Sequence, residues 1–145
     1  MISFNFGLCL YDAKDVSPFE MGHIDIVNDG IIISSRDKHP DQSMMIFLSV
    51  TDLLDKVRKI LSSKSLATIT FSSTDSSFEL LLKSKGNTIT IMGKISSIQV
   101  KKGELANSLY ENASEFYNKY GQILEEIHQY YDLKNSISDF ANLLE

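Results

Sequence analysis

The stretch Ile98-Gln99-Val100-Lys101-Lys102-Gly103-Glu104-Leu105-Ala106-Asn107-Ser108-Leu109 changes its period in the middle. Up to Lys101 apolar and polar residues alternate, as on a strand with one buried face. From Gly103 onward Leu105, Leu109, Phe116, Tyr120, Ile123, Leu124 and Ile127 recur at helical spacing as far as about Tyr131. Everything before this junction reads as strands around one helix, and everything after it as helix. A run of strands followed by helices predicts an α+β fold.

Working back from the junction, Thr88–Lys94 alternates Ile89 and Ile91 with threonines, and Gly86-Asn87 joins it to Phe78–Lys83 as a hairpin. Ala67–Ser73 supplies a further strand, and Ser96–Lys101 the one that enters the junction. Val50, Leu53, Leu54, Val57, Ile60 and Leu61 form one apolar helical stripe; Ser49 is placed to cap that helix, with Asp52 three residues on. Earlier still, Ser3–Tyr11 and Gly22–Val27 alternate. Asn28-Asp29-Gly30 then supplies the positive-φ residues of a tight turn into Ile31–Ser35. After Asp132–Asn135 breaks the long helix, Ser136 is placed to cap a short last one carrying Ile137, Phe140, Ala141 and Leu144. The expectation is an antiparallel sheet of about six strands with one intervening helix. A long C-terminal helix packs on one face, and a short terminal helix follows, in a single domain spanning residues 1–145.

Composition excludes several classes. With 43% hydrophobic and 23% charged residues, the chain has the means to bury a core and is not of disordered type. The apolar windows Ile31–Ile33, Met44–Val50 and Phe78–Leu82 are far shorter than the ~18–20 residues that span a bilayer. No basic segment followed by an apolar one opens the sequence, so a cytoplasmic location without membrane association is expected. Arginine occurs only at positions 36 and 58 and tryptophan is absent, which disfavours nucleic acid as a partner.

Chemistry is hard to find. Cys9 has no second cysteine to pair with and falls on the strand face opposite Phe4, Phe6, Leu8 and Leu10, where it reads as a small filler. Of the histidines, His23 and His39 read as surface residues. His128, with Glu125 three before and Asp132 four after on one helix face, reads as part of a solvated surface with ordinary ion pairs. The glycines are scattered singly, so no phosphate-cradling loop is visible, and no serine sits in a strand-to-helix elbow. Paired carboxylates such as Asp12 with Asp15 are too common to indicate acid–base work. No catalytic residues, metal site or cofactor are therefore expected, and the chain is read as a non-enzyme.

Charge is the one uneven property. The chain carries −5 in all; from Gly103 to Glu145 eight acidic residues face two basic ones, Lys119 and Lys134, giving −6 and leaving +1 for the rest. Tyrosines are interleaved with those acids. The candidate partner-binding residues are Glu104, Glu111, Glu115, Tyr117, Glu125, Glu126, Tyr130, Tyr131 and Asp132, which fit a surface docking a basic protein partner.

The order of elements resembles that of small bacterial immunity proteins of toxin–immunity pairs, including those of contact-dependent inhibition systems. It does so through the opening Phe4-Asn5-Phe6-Gly7-Leu8-Cys9-Leu10 and the hairpin His23–Ser35 about Asn28-Asp29-Gly30. The helix beginning Ser49-Val50-Thr51-Asp52-Leu53-Leu54, the turn at Gly86-Asn87 and the closing long helix after Val100 continue the match. The resemblance implies a cytoplasmic protein that neutralises a cognate toxin, often a nuclease with a basic substrate channel, by stoichiometric binding. Two other classes stay open at this point: a small enzyme whose site is assembled across strands around His23, His39 or His128, and an oligomeric accessory protein.

Overall fold

The computed structural model describes residues 1–9 and 16–144; Leu10, Tyr11, the Asp12–Asp15 carboxylate pair and Glu145 lie outside the described residues. Among the described residues there are two four-stranded antiparallel sheets and three helices, so the α+β reading holds, with eight strands divided between two sheets. The first sheet contains β1 (Ser3–Leu8), β2 (Met21–Asn28), β3 (Ile31–Ser34) and the two-residue β4 (Met44–Met45), with β2 pairing to all three others. The second is a meander of β5 (Ala67–Ser72), β6 (Glu79–Lys85), β7 (Thr88–Met92) and β8 (Ser97–Lys101). Helix α1 (Ile46–Leu61) lies between the sheets in sequence, and α2 (Lys102–Glu126) and α3 (Asp132–Ala141) close the chain, followed by a 3₁₀ turn at Asn142–Leu144.

The turns form as their residues dictate. Asp29 and Gly30 adopt φ of +48° and +82°, the pair of positive values a two-residue hairpin with the right twist requires. In β1 and β2, Phe4 faces Ile26 and Phe6 faces Ile24, and all four are buried. At Gly22 the chain has no room for a side chain: a Cβ there would meet the Gly7 carbonyl and lie 2.8 Å from Ile46 Cβ. β1, β2 and the start of α1 can approach this closely only across a glycine.

α1 begins at Ile46, not at Ser49. Its first amides are satisfied by distant carbonyls: Met45 N–H donates to Thr74 O and Ile46 N–H to Glu20 O, both at 3.0 Å. Ser49 lies inside the helix, and its hydroxyl accepts from Thr74 N–H at 3.0 Å, while Asp52 pairs with Lys56 one turn on. A tertiary cap has replaced the local one that Ser49 offered. The buried face of α1, from Phe47 to Ile60, touches both sheets and both later helices, and the buried residues form one cluster. An aromatic chain ties β1, α1 and α2 together: Phe6 meets Phe116 with centroids 5.7 Å apart, Phe116 stacks on Phe47 at 5.1 Å, and Tyr120 closes on both.

α2 packs chiefly along β1 and secures that strand's outer edge. Asn112 Oδ1 accepts from Phe4 N–H at 2.8 Å and Glu104 Oε1 from Ile2 N–H at 3.3 Å. The helix ends at Glu126, five residues before the expected Tyr131. Gln129 takes the left-handed conformation (φ +53°), its N–H bonds Glu125 O, and Tyr130 N–H bonds Leu124 O, which turns the chain back. α3 then starts at Asp132, so Asp132–Asn135 is its first turn and Ser136 is a buried interior residue, not a cap. No helix among the described residues is long and apolar enough to cross a membrane.

Candidate functional site

The nine residues proposed from sequence fall into three groups. Projected on a helix of 3.6 residues per turn, positions 104, 111, 115, 122 and 126 share the side of α2 opposite its buried line of Leu105, Leu109, Ala113, Phe116 and Leu124. Glu111, Glu115 and Glu126 are exposed there, and among the described residues none of the three has a cationic partner. Glu104 starts the same line but is half-buried and occupied by the Ile2 amide. The result is a mainly acidic outer face, with Gln122, Asn118 and the exposed Lys119 filling the gap between Glu115 and Glu126.

The second group sits where α2 meets α3. Tyr117 donates its hydroxyl to Glu125 two turns on, and Glu125 pairs with Lys134 of α3 at 3.3 Å. Accepting that bond, reinforced by Lys134, holds the Glu125 carboxyl below its ordinary value. The same bond, with burial second, pushes Tyr117 up to about 12. Tyr117, Glu125 and Glu126 border a shallow concavity of ≈ 390 Å³ together with Asn118 and Gln122, two residues missed in sequence. An i, i+8 Tyr–Glu spacing is the sequence signal that was present for this pair.

The third group is scattered. Tyr130 turns inward, half-buried, and its hydroxyl lies 3.3 Å from Thr51 Oγ1 on α1; burial raises its pKa. Tyr131 is exposed beside Asp132 at the start of α3. The helix face imagined for Glu125, His128 and Asp132 does not exist, because the reversal at Gln129 separates the first two from the third. Among the described residues no three His, Cys, Asp or Glu side chains converge as a metal site would need.

His23 is a correction of a different kind: it is buried, not on the surface. Nδ1 lies 2.8 Å from Ser35 Oγ and Nε2 3.4 Å from Asp41 Oδ2. Ser35 Oγ also accepts from Ile24 N–H at 3.0 Å and lies 3.4 Å from Ile24 O; with the hydroxyl proton on Nδ1, the ring donates from Nε2 to Asp41. Every atom is satisfied with a neutral imidazole. Burial, followed by the nearby Arg36 charge, holds its pKa below the ordinary histidine value against the pull of Asp41 and Asp25. The constellation has the residue types of a Ser–His–Asp triad, but the serine is fully enclosed and is bonded to the ring nitrogen that a triad gives to its carboxylate. As placed, it fastens the 35–43 loop to β2 and presents no nucleophile. Cys9 is exposed, and burial of its sulfur region followed by Asp41 raises the thiol above its ordinary value, away from the reactive thiolate.

The surface best supplied with unengaged charge is therefore the outer face of α2, continued at its C-terminal end by the Tyr117–Glu125 concavity. No known family, characterised protein or solved structure matches the chain.

Proposed function

We propose that this protein is an immunity-type binding protein that neutralises a cognate bacterial toxin domain, such as a nuclease, by covering its basic channel one-to-one with the outer face of α2. The supporting observation is the row Glu111, Glu115 and Glu126: three exposed carboxylates on one helix, none with a cationic partner among the described residues. Such a row speeds encounter with a cationic groove through long-range attraction. A rigid helix also loses little conformational freedom on docking. The element order shared with immunity proteins supplies the partner class, and cytoplasmic action follows from it.

The test is co-expression with the product of the gene immediately upstream, combined with calorimetry of the purified pair. Saturation at one-to-one and protection of the cell are expected. The triple charge reversal E111K/E115K/E126K should fold normally yet slow association by roughly tenfold or more, and added salt should slow the wild-type pair steeply. Full protection by the charge-reversed protein would dismiss this face as the docking surface.

A further inference from the structure

A strand in an antiparallel pair turns alternate residues toward its partner, and β5 faces β6 with its odd-numbered ones. Ser73 N–H donates to Phe78 O at 3.0 Å, so these two residues form a hydrogen-bonded pair. Counting back by two along the register makes Phe71–Leu80, Ile69–Leu82 and Ala67–Ser84 pairs of the same kind. The N–H and C=O groups of Thr68, Thr70 and Ser72 therefore point away from the sheet. Among the described residues none of these six groups has a partner.

Proteins blunt such an edge with lysine, proline, a bulge or a covering element. β1 has α2 for that purpose. β5 has no such device: Thr68, Thr70 and Ser72 are exposed and uncharged, and its register with β6 runs without a bulge from Ala67 to Ser72. Beside the edge the core is left unfinished. Phe71 is fully buried, but Ala67 and Ile69 on the same face are half-buried, and Leu66 just before them is 75% exposed.

The strand behind the edge decides what can pair with it. Lys83 stands behind Thr68, Leu81 behind Thr70 and Glu79 behind Ser72. Lys83 and Glu79 are exposed, and among the described residues neither forms an ion pair. The edge thus runs from a positive end to a negative end, and reversed in direction it is its own complement. A two-fold axis at Thr70 lays Thr68 against Ser72 of a second copy, so that each Lys83 row continues into a Glu79 row. An axis at Thr68 would align Lys83 with Lys83, and one at Ser72 would align Glu79 with Glu79, which like charge disfavours. The Thr70 register also engages all six free backbone groups.

We propose that a second copy of this chain pairs with β5 about a two-fold axis at Thr70, joining the two meanders into one eight-stranded antiparallel sheet. Six backbone hydrogen bonds close the edges: two between the Thr70 residues and two for each Thr68–Ser72 pair. Ile69 then lies opposite Phe71 of the second copy and loses its open side. A contact this narrow falls below the roughly 1,200 Å² of a standard interface, so the dissociation constant is expected on the order of 10–100 µM. The edge is separate from the outer face of α2, and the proposal does not rest on the docking assigned to that face.

The experiment is sedimentation equilibrium of the full chain from about 10 µM to about 1 mM, with amide hydrogen exchange measured at both ends of the range. The mass should rise from monomer to dimer, and exchange at Thr68, Thr70 and Ser72 should slow at high concentration. T70P removes one outward donor and no bond to β6, and T70K sets two ammonium groups side by side on the axis; both should stay monomeric. E79K, which aligns lysine with lysine, should weaken the dimer, and the exchanged pair E79K/K83E should restore it. E111K/E115K/E126K should dimerise as the wild type does, so this proposal and the docking surface fail separately. A monomer throughout the range overturns the proposal and leaves the edge to a strand of another protein. A dimer that survives T70K, or one that E79K/K83E fails to restore, uses another surface or register and overturns it equally.

Discussion

The two sheets have the same number of strands and are built in opposite ways. β5 to β8 form a meander in which every pairing joins neighbours in sequence, and its outer strand β5 presents Thr68, Thr70 and Ser72 without charge and, among the described residues, without a backbone partner beyond β6. The β1–β4 sheet draws on the whole chain. Its outer strand is closed by Asn112 and Glu104, 108 and 102 residues away from the amides they accept, and its polar interior is the Ser35–His23–Asp41 group. One sheet is specified by local pattern, the other by distant side chains, and α1 holds both. The difference shows which substitutions should propagate.

The largest expected effect removes what the sheets share. Phe47→Ala empties a fully buried site that stacks on Phe116 and borders Tyr120, and should cost about 3–5 kcal/mol in urea unfolding. Fluorescence from the tyrosines and the far-ultraviolet signal should still lose structure together; separate transitions would mean that the meander stands without α1. Next comes the contrast between the edges. Asn112→Ala leaves the Phe4 amide unpaired and should cost about 1–2 kcal/mol, whereas Thr70→Ala on β5 should stay within about 0.5 kcal/mol. Equal costs would erase the distinction.

Mild acid reaches the long-range sheet through His23. His23 titrates below its unfolded value near 6.5, so the unfolded chain takes up the proton first. The stability it contributes is complete above pH 6.5 and declines as pH falls from there toward the depressed native value. His23→Gln should flatten that decline, measured as urea midpoints between about pH 8 and about pH 5. The smallest effect concerns the α2–α3 corner. Glu125→Gln should return the Tyr117 phenol from about 12 toward 10 in an ultraviolet absorbance titration, with little change in stability. In the wild type, the contribution of that neutral phenol is complete below pH 10 and lost as pH rises toward 12.

The same contrast explains what was legible in the sequence. The meander could be read from Ile69, Leu80, Leu82, Ile89, Ile91 and Ile98 and from the glycine at 86, because period and turn chemistry are local. The α1 stripe and the outward glutamates of α2 are projections of one helix and were equally readable. The start of α1 was not, since Thr74 and Glu20 cap it from other segments. Nor was the burial of His23, which depends on Ser35 and Asp41 arriving from a loop. The end of α2 was hidden because Gln129, which is neither glycine nor asparagine, takes the left-handed turn. Of the candidate surface, position on the helix was readable, but the engagement of Tyr117, Glu125 and Tyr130 depends on which side chains α1 and α3 bring beside them.

The clasp of Asn112 on Phe4 also has a consequence in time. A ribosome releases β1 ahead of α2, and the side chain that closes its edge is made 108 residues after Phe4. At roughly 5–20 residues per second, that edge waits roughly 5–20 s with Phe4 and Phe6 already exposed beside it. The meander completes its own pairings within that interval, but β1 does not. During each round of synthesis, β1 is made well before the helix that protects it, and its edge stays open to neighbouring chains on the same message until α2 emerges.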